Sequence, residues 1–171
     1  MIPPPGRWSD APGAPFWIAG ALVVALGEAI RMWAVHHIGA ISRTRSDRLG
    51  PLIATGPFAL VRNPLYLGNI LLWTGFAISA RLLWLAPVIV VLLALEYHAI
   101  VCWEEGLLTE RIGEPYVHYV ARVPRWIPSF GAKTSADAAV TFSWRQTLFS
   151  ERGTLIAIAV GFMLLYVKLK T

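Results

Sequence analysis

The residues best placed to do chemistry gather in two short stretches. The first is "RNPLY", residues 62–66, where Arg62, Asn63, Pro64 and Tyr66 stand at the mouth of an apolar run. Asn63 offers a neutral donor and acceptor, Tyr66 a phenol and an aromatic face. Pro at the first turn of a helix, with Arg and Tyr at a water–lipid boundary, also makes a plain interfacial anchor. The second stretch is Glu104–Glu105, at the end of another apolar run. Neighbours on a helix point about 100° apart, so the two carboxylates cannot do the same job. One can face inward and hold a cationic group while the other meets water or an arginine. A hydrophilic helix end is the simpler alternative.

Ionisable residues also lie inside the apolar runs: Glu28 and Arg31 in the first, Glu96 and His98 in a later one. Such residues are costly in a bilayer and are functional candidates by default. Glu28 and Arg31 are three apart and can pair with each other, which weakens a catalytic reading. Glu96, Ile100 and Glu104 share one helix face and extend a polar stripe toward the membrane. His36, His37, His98 and His118 lack the spacing of a metal site, so no metal is expected. Nucleotide-binding glycine loops and a GxSxG elbow are absent from the sequence.

Apolar elements must position these groups. The chain has 171 residues, 56% apolar and 15% charged, with a mean hydropathy of +0.57. A soluble domain of this size could not cover so much apolar surface, so one membrane-embedded domain over residues 1–171 is expected. Apolar runs cover residues 16–41, 65–80, 82–103 and 154–167. A bilayer core needs roughly 20 helical residues, which the third run meets; the second is slightly short and the fourth marginal. Only Arg81 and its neighbours separate the second and third, which predicts a tight helical hairpin. After Trp103 the pattern predicts a helix leaving the membrane, a break at residues 113–115, a short amphipathic helix and a stop at Pro124. The Pro-rich start lacks the features of a cleaved signal, so the first run is expected to be retained.

Charge sets the expected orientation and partners. Ten basic residues fall in the two long segments after the first and third runs, against four on the other side, which predicts that both are cytoplasmic. The net charge of +5 sits beside apolar spans, so the membrane surface rather than nucleic acid is the expected counterpart. Cys102 is the single cysteine, which rules out an intramolecular disulfide.

"TGPFALVRNPLYLGN", followed about forty residues later by "EEGLLTERIGEPYVHYVARVPRWIP", resembles the isoprenylcysteine carboxyl methyltransferase family of integral-membrane enzymes. That family is related to phospholipid methyltransferases. Its first motif is a Gly-Pro-aromatic turn and then Arg-His-Pro-x-Tyr-x-Gly. Its second is Glu-Glu-x-x-Leu, a glycine, a tyrosine and a Val-Pro with a basic residue. The upstream "LGEAIRMWAVHHIGAIS" resembles the approach to the first motif, and the likeness covers about residues 26–130, leaving the apolar run at 154–167 as an extra helix.

The resemblance implies methyl transfer from S-adenosylmethionine at the cytoplasmic membrane face, with a lipid-like acceptor drawn from the bilayer. By position it assigns Gly50, Pro51, Leu52, Ile53, Phe58, Asn63, Pro64, Leu65, Tyr66 and Glu104 to the cofactor, with Asn63, Tyr66 and Glu104 nearest the reaction. Glu96, His98, Ile100 and Arg125 are the candidate acceptor contacts. Asn63 stands where the family usually has His, as in related phospholipid methyltransferases. Ile100 stands where eukaryotic carboxyl methyltransferases place a substrate-contacting Arg. The expected architecture is all-α with about four membrane helices. Two rival readings remain: an NADPH-dependent membrane reductase of sterol-reductase type, and a non-catalytic membrane scaffold.

Overall fold

A computed structural model describes residues 14–38, 52–130 and 142–170, and all regular structure among them is helical. In chain order the helices are α1 (Ala14–Ile38), α2 (Pro64–Ser79), α3 (Leu85–Ile112), α4 (Glu114–Arg122) and α5 (Trp144–Lys170), with a 3-10 turn at Gly56–Ala59 before α2. α1, α3 and α5 are long and apolar enough to cross a membrane, whereas α2 has 16 residues and is shorter.

The closest packing is between α1 and α2, which run antiparallel. A Cβ on Gly20 would lie 2.5 Å from the Gly75 carbonyl oxygen, and one on Gly27 would lie 2.7 Å from that of Gly68. Only glycine permits this approach. Between helices in lipid, backbone contact of this kind replaces the hydrophobic drive available in water. Ser79 closes the far end of the seam by donating to the Trp17 carbonyl at 3.4 Å.

The expected hairpin joins α2 to α3. Ala80 N–H donates to the Phe76 carbonyl, Arg81 to Ile78 and Leu82 to Ala77, each at 2.9 Å. Arg81 has φ 59°, a left-handed conformation that a residue with a Cβ seldom adopts, and this reverses the chain within a few residues. Only 6% of the most apolar stretch of α3 is buried, so its outer face is left to lipid.

Gly113, with φ 72°, ends α3 and begins α4, where the sequence predicts the break. α4 is amphipathic: Tyr116, Tyr119 and Val123 are buried and pack on Leu52, Leu108 and Ile112. Residues after α4 then run back along the entry to α2. Arg62 N–H donates to the Pro124 carbonyl and Ser129 N–H to the Leu60 carbonyl, both at 2.9 Å.

α5 is longer than the apolar run alone suggests. Its first turns carry Glu151, Thr147 and Ser150, all buried, and these polar residues hide the helix from a hydropathy reading. A capping box starts it: Gln146 N–H donates to Ser143 Oγ at 3.3 Å, and Ser143 N–H donates to Gln146 Oε1 at 3.0 Å. The helix packs on α1, where Trp144 stacks on His36 with 4.2 Å between ring centres. Phe162 meets Trp17 of α1 and Phe76 of α2 at 5.5 and 5.1 Å between ring centres.

Candidate functional site

The two chemical stretches converge where α2 begins and α3 leaves the apolar layer. Pro64 occupies the first turn of α2 with Asn63 as its N-cap, which fixes the direction of the next turn. Tyr66 then reaches across to α3, and its hydroxyl donates to Glu104 Oε1 at 3.0 Å. The Tyr66 ring stacks on Tyr97 of α3 at 4.7 Å between centroids and 28° between planes. A carboxylate and two aromatic faces thus meet at one mouth.

Glu105 points elsewhere, as helix geometry requires. Arg62 Nη1 donates to its Oε1 at 2.7 Å, while Arg125 donates through Nη2 to Oε2 at 2.6 Å and through Nε to Oε1 at 3.1 Å. The bond with Glu105 raises the Arg125 pKa above its ordinary value, with desolvation opposing. This two-point grip ties the segment after α4 to α3 and to the entry of α2. Asn63 Nδ2 adds a bond to the Arg125 carbonyl at 3.2 Å.

Beneath this clasp lie two phenols. Tyr119 Oη donates to the Phe58 carbonyl at 2.8 Å. Burial raises the Tyr119 pKa, with neighbouring Tyr116 adding to the effect. Tyr116 is pushed up to about 12, first by burial and then by the negative charge of Glu105. Both phenols therefore remain neutral hydrogen-bond donors at physiological pH.

The candidate residues from the sequence divide by position. Asn63, Pro64, Leu65, Tyr66 and Glu104 come together, with Leu52 packed beside α4. Ile53 is partly buried just before the 3-10 turn, and Phe58 is buried within it, so its ring presents little free face. Gly50 and Pro51 lie outside the described residues. Among the candidate acceptor contacts, Arg125 is held by Glu105, and Ile100 is partly buried. His98 lies one turn from Cys102, with Nε2 3.6 Å from its Sγ, and Glu96 is exposed.

Sequence reasoning passed over Tyr97 and Asn69. Tyr97 stacks on Tyr66, and its hydroxyl engages the Asn69 side chain. Asn69 is three residues beyond Tyr66, on the same face of α2, which was the available signal. Asn69 Oδ1 in turn accepts from Arg31 Nη1 at 2.6 Å. Arg31 lies 3.6 Å from Glu28, the pairing that their spacing predicts. It also donates to Glu151 Oε2 at 2.7 Å and to Thr154 Oγ1 at 3.4 Å, drawing α5 into the same cluster.

Residues 16–114 match the phospholipid methyltransferase family. The chain belongs to that family. The family is part of the isoprenylcysteine carboxyl methyltransferase-like group of integral-membrane methyltransferases. The matched segment covers most of α1, all of α2 and α3, and so contains Tyr66, Tyr97 and Glu104.

Two curated relatives extend the comparison. The chain is 27% identical over 128 residues to the nickel-cobalt-cadmium resistance protein NccN of Alcaligenes xylosoxydans xylosoxydans, covering 71% of this chain and 54% of the relative. It is 28% identical over 123 residues to the cobalt-zinc-cadmium resistance protein CzcN of Cupriavidus metallidurans, with the same 71% and 54% coverage. The chain thus spans about half the length of the curated relatives it matches. No solved structure matches it. Among the described residues of this phospholipid methyltransferase family member, no group of three or more His, Cys, Asp and Glu side chains is arranged to hold a metal ion.

Proposed function

We propose that this chain transfers a methyl group from S-adenosylmethionine to a lipophilic acceptor at the cytoplasmic membrane face. The observation that carries the reading is the Tyr66–Glu104 hydrogen bond, at 3.0 Å, beside the stacked Tyr97. S-adenosylmethionine presents an ammonium, a carboxylate and a sulfonium, and when bound it supplies an electrophilic methyl. Glu104 suits the ammonium as a charge-assisted partner. The rings of Tyr66 and Tyr97 suit a cationic sulfonium or the adenine. Leu52, Ile53, Pro64 and Leu65 supply apolar wall, Phe58 packs behind them, and Gly50 and Pro51 join the set by resemblance.

Asn63 acts here by holding the Arg125 backbone, and so by keeping the segment after α4 against the mouth. Arg62 and Arg125 neutralise Glu105 and leave Glu104 to act separately. The protein's contribution is to align donor and acceptor; no covalent enzyme intermediate is required. With α2 spanning by help of Arg62 and Arg81 at its ends, four helices would cross the bilayer. The ten-to-four split of basic residues supports a cytoplasmic site. In a Cys102→Ala background, cysteines at Ser46 and Ser135 should react only with reagents that enter the cytoplasm, and outside labelling of either overturns that placement.

The acceptor is neutral or an amine, on a lipid-like body. A carboxylate entering a low-dielectric pocket needs a cation. Ile100 is apolar, Arg125 is already engaged by Glu105, and Arg31 by Glu151 and Glu28. Labelled S-adenosylmethionine in nanodiscs, offered phosphatidylethanolamine, isoprenoid phenols and N-acetyl-farnesylcysteine together, tests the assignment. Label should go to one of the first two classes, and Ile100→Arg should raise use of the third. N-acetyl-farnesylcysteine as best acceptor, with no gain from Ile100→Arg, contradicts it.

A further inference from the structure

A groove of about 920 Å³ opens between α2, α3 and α5, away from Glu104. Trp73, Phe76, Ile89, Ala157, Ile158 and Leu165 give it apolar walls. Its polar lining is confined to one end, where Arg31, Asn69 and Thr154 meet. The other end is closed by the hairpin residues Ala80 and Leu82. From Asn69 to Ala80 along α2 the groove is roughly 16 Å long at 1.5 Å per residue.

Its polar end lies one helical turn from Tyr66, and Tyr97 bridges the two by stacking on Tyr66 and engaging Asn69. The groove's polar end is therefore next to the candidate methyl-donor site, with the Tyr97 side chain between the two. Its size lies within the roughly 300–1,000 Å³ usual for small-molecule sites. Its shape is that of an amphipath: polar at the end near the donor, apolar beyond, and blunt at the tip.

We propose that this groove holds one hydrocarbon chain of the methyl acceptor, with the acceptor's head group beside Arg31, Asn69 and Thr154. This rests on the methyltransferase reading above and adds the place and the length limit of the acceptor's tail. α5 supplies one whole wall and lies beyond residues 16–114, the segment that matches the family. The hairpin of the matched core thus sets the length limit, and this C-terminal helix sets the width of the groove along one side. Gly153 and Ala157 keep the groove open by being small, and Ala157→Trp would block it midway.

The test uses the full chain in phosphatidylcholine nanodiscs with a phosphatidylethanolamine carrying a mid-chain diazirine. Photolysis should label the groove-facing parts of α5 and α2 saturably, with competition by unlabelled phosphatidylethanolamine. Ala157→Trp should lower that labelling about fivefold or more, as overfilling a packed site does. Binding of S-adenosylhomocysteine should stay as in wild type, which also establishes that the variant is folded; Ala157→Leu serves if the larger change unfolds the protein. Non-saturable labelling spread equally over the outward-facing Leu92 and Leu95 overturns the proposal. So does labelling unchanged by either variant, or a crosslink to a second copy in its place. Saturable labelling in a protein that binds no S-adenosylhomocysteine keeps the groove and removes the donor reading.

Discussion

Glu104 and Glu105 are neighbours on α3 that hold different groups: Tyr66 reaches the first, whereas Arg62 and Arg125 grip the second. On the proposed function one carboxylate serves the ligand and the other the architecture. Substitution separates the two roles. Glu105→Gln leaves two guanidiniums without their counter-charge and should lower stability by about 2–4 kcal/mol, less than a fully buried pair because the site is partly open. Glu104→Gln, whose amide oxygen can still accept from the Tyr66 hydroxyl, should cost clearly less than Glu105→Gln. Thermal denaturation of both variants checks this, and equal losses would remove the division of labour.

A second ion pair binds α5 to the rest of the bundle. Arg31 and the buried Glu151 meet at 2.7 Å, with side chains 13% and 1% exposed. Glu151→Leu should destabilise the protein by about 3 kcal/mol, because it removes the main counter-charge of a cation held among helices. Adding Arg31→Met should return much of that loss. A double-mutant cycle by chemical denaturation in nanodiscs measures the coupling, and simple additivity would mean that α5 is held by other contacts.

Alkali should loosen the clasp. Tyr116 has its pKa pushed up to about 12 from 10.0, because burial and then Glu105 disfavour the phenolate. The folded state thus holds a proton that the unfolded chain releases, so this contribution is complete below pH 10 and is lost as pH rises toward 12. The loss is on the order of 2 kcal/mol. Tyr116→Phe should flatten the fall in melting temperature across that window. A fall as steep as in wild type assigns the alkaline loss to other groups, Tyr119 among them.

Much of this architecture is legible in the sequence, for physical reasons that apply residue by residue. The hairpin at Arg81 follows from two apolar runs with no room between them for more than a turn. The end of α3 follows from Gly113, and the amphipathic α4 from the spacing of Tyr116, Tyr119 and Val123. The divergence of Glu104 and Glu105 follows from helix periodicity, but which of them meets the arginines depends on where the segment after α4 returns. Local pattern does not carry that long-range fact. The same holds for Arg31: its spacing to Glu28 is plain, whereas its partner Glu151 lies 120 positions away. The start of α5 is hidden because its buried Thr147, Ser150 and Glu151 read as surface.

The central claim is that Tyr66 and Glu104 bind the methyl donor, and calorimetric titration with S-adenosylhomocysteine tests it most directly. Wild type should bind it and should not bind NADPH. Glu104→Gln and Tyr66→Ala should each weaken binding by roughly ten- to hundredfold, the loss expected from one charge-assisted hydrogen bond. Glu28→Gln, which changes a carboxylate paired with Arg31 rather than bonded to Tyr66, should bind like wild type. Glu104→Gln with wild-type affinity, or a wild-type protein that takes NADPH instead, would contradict the account.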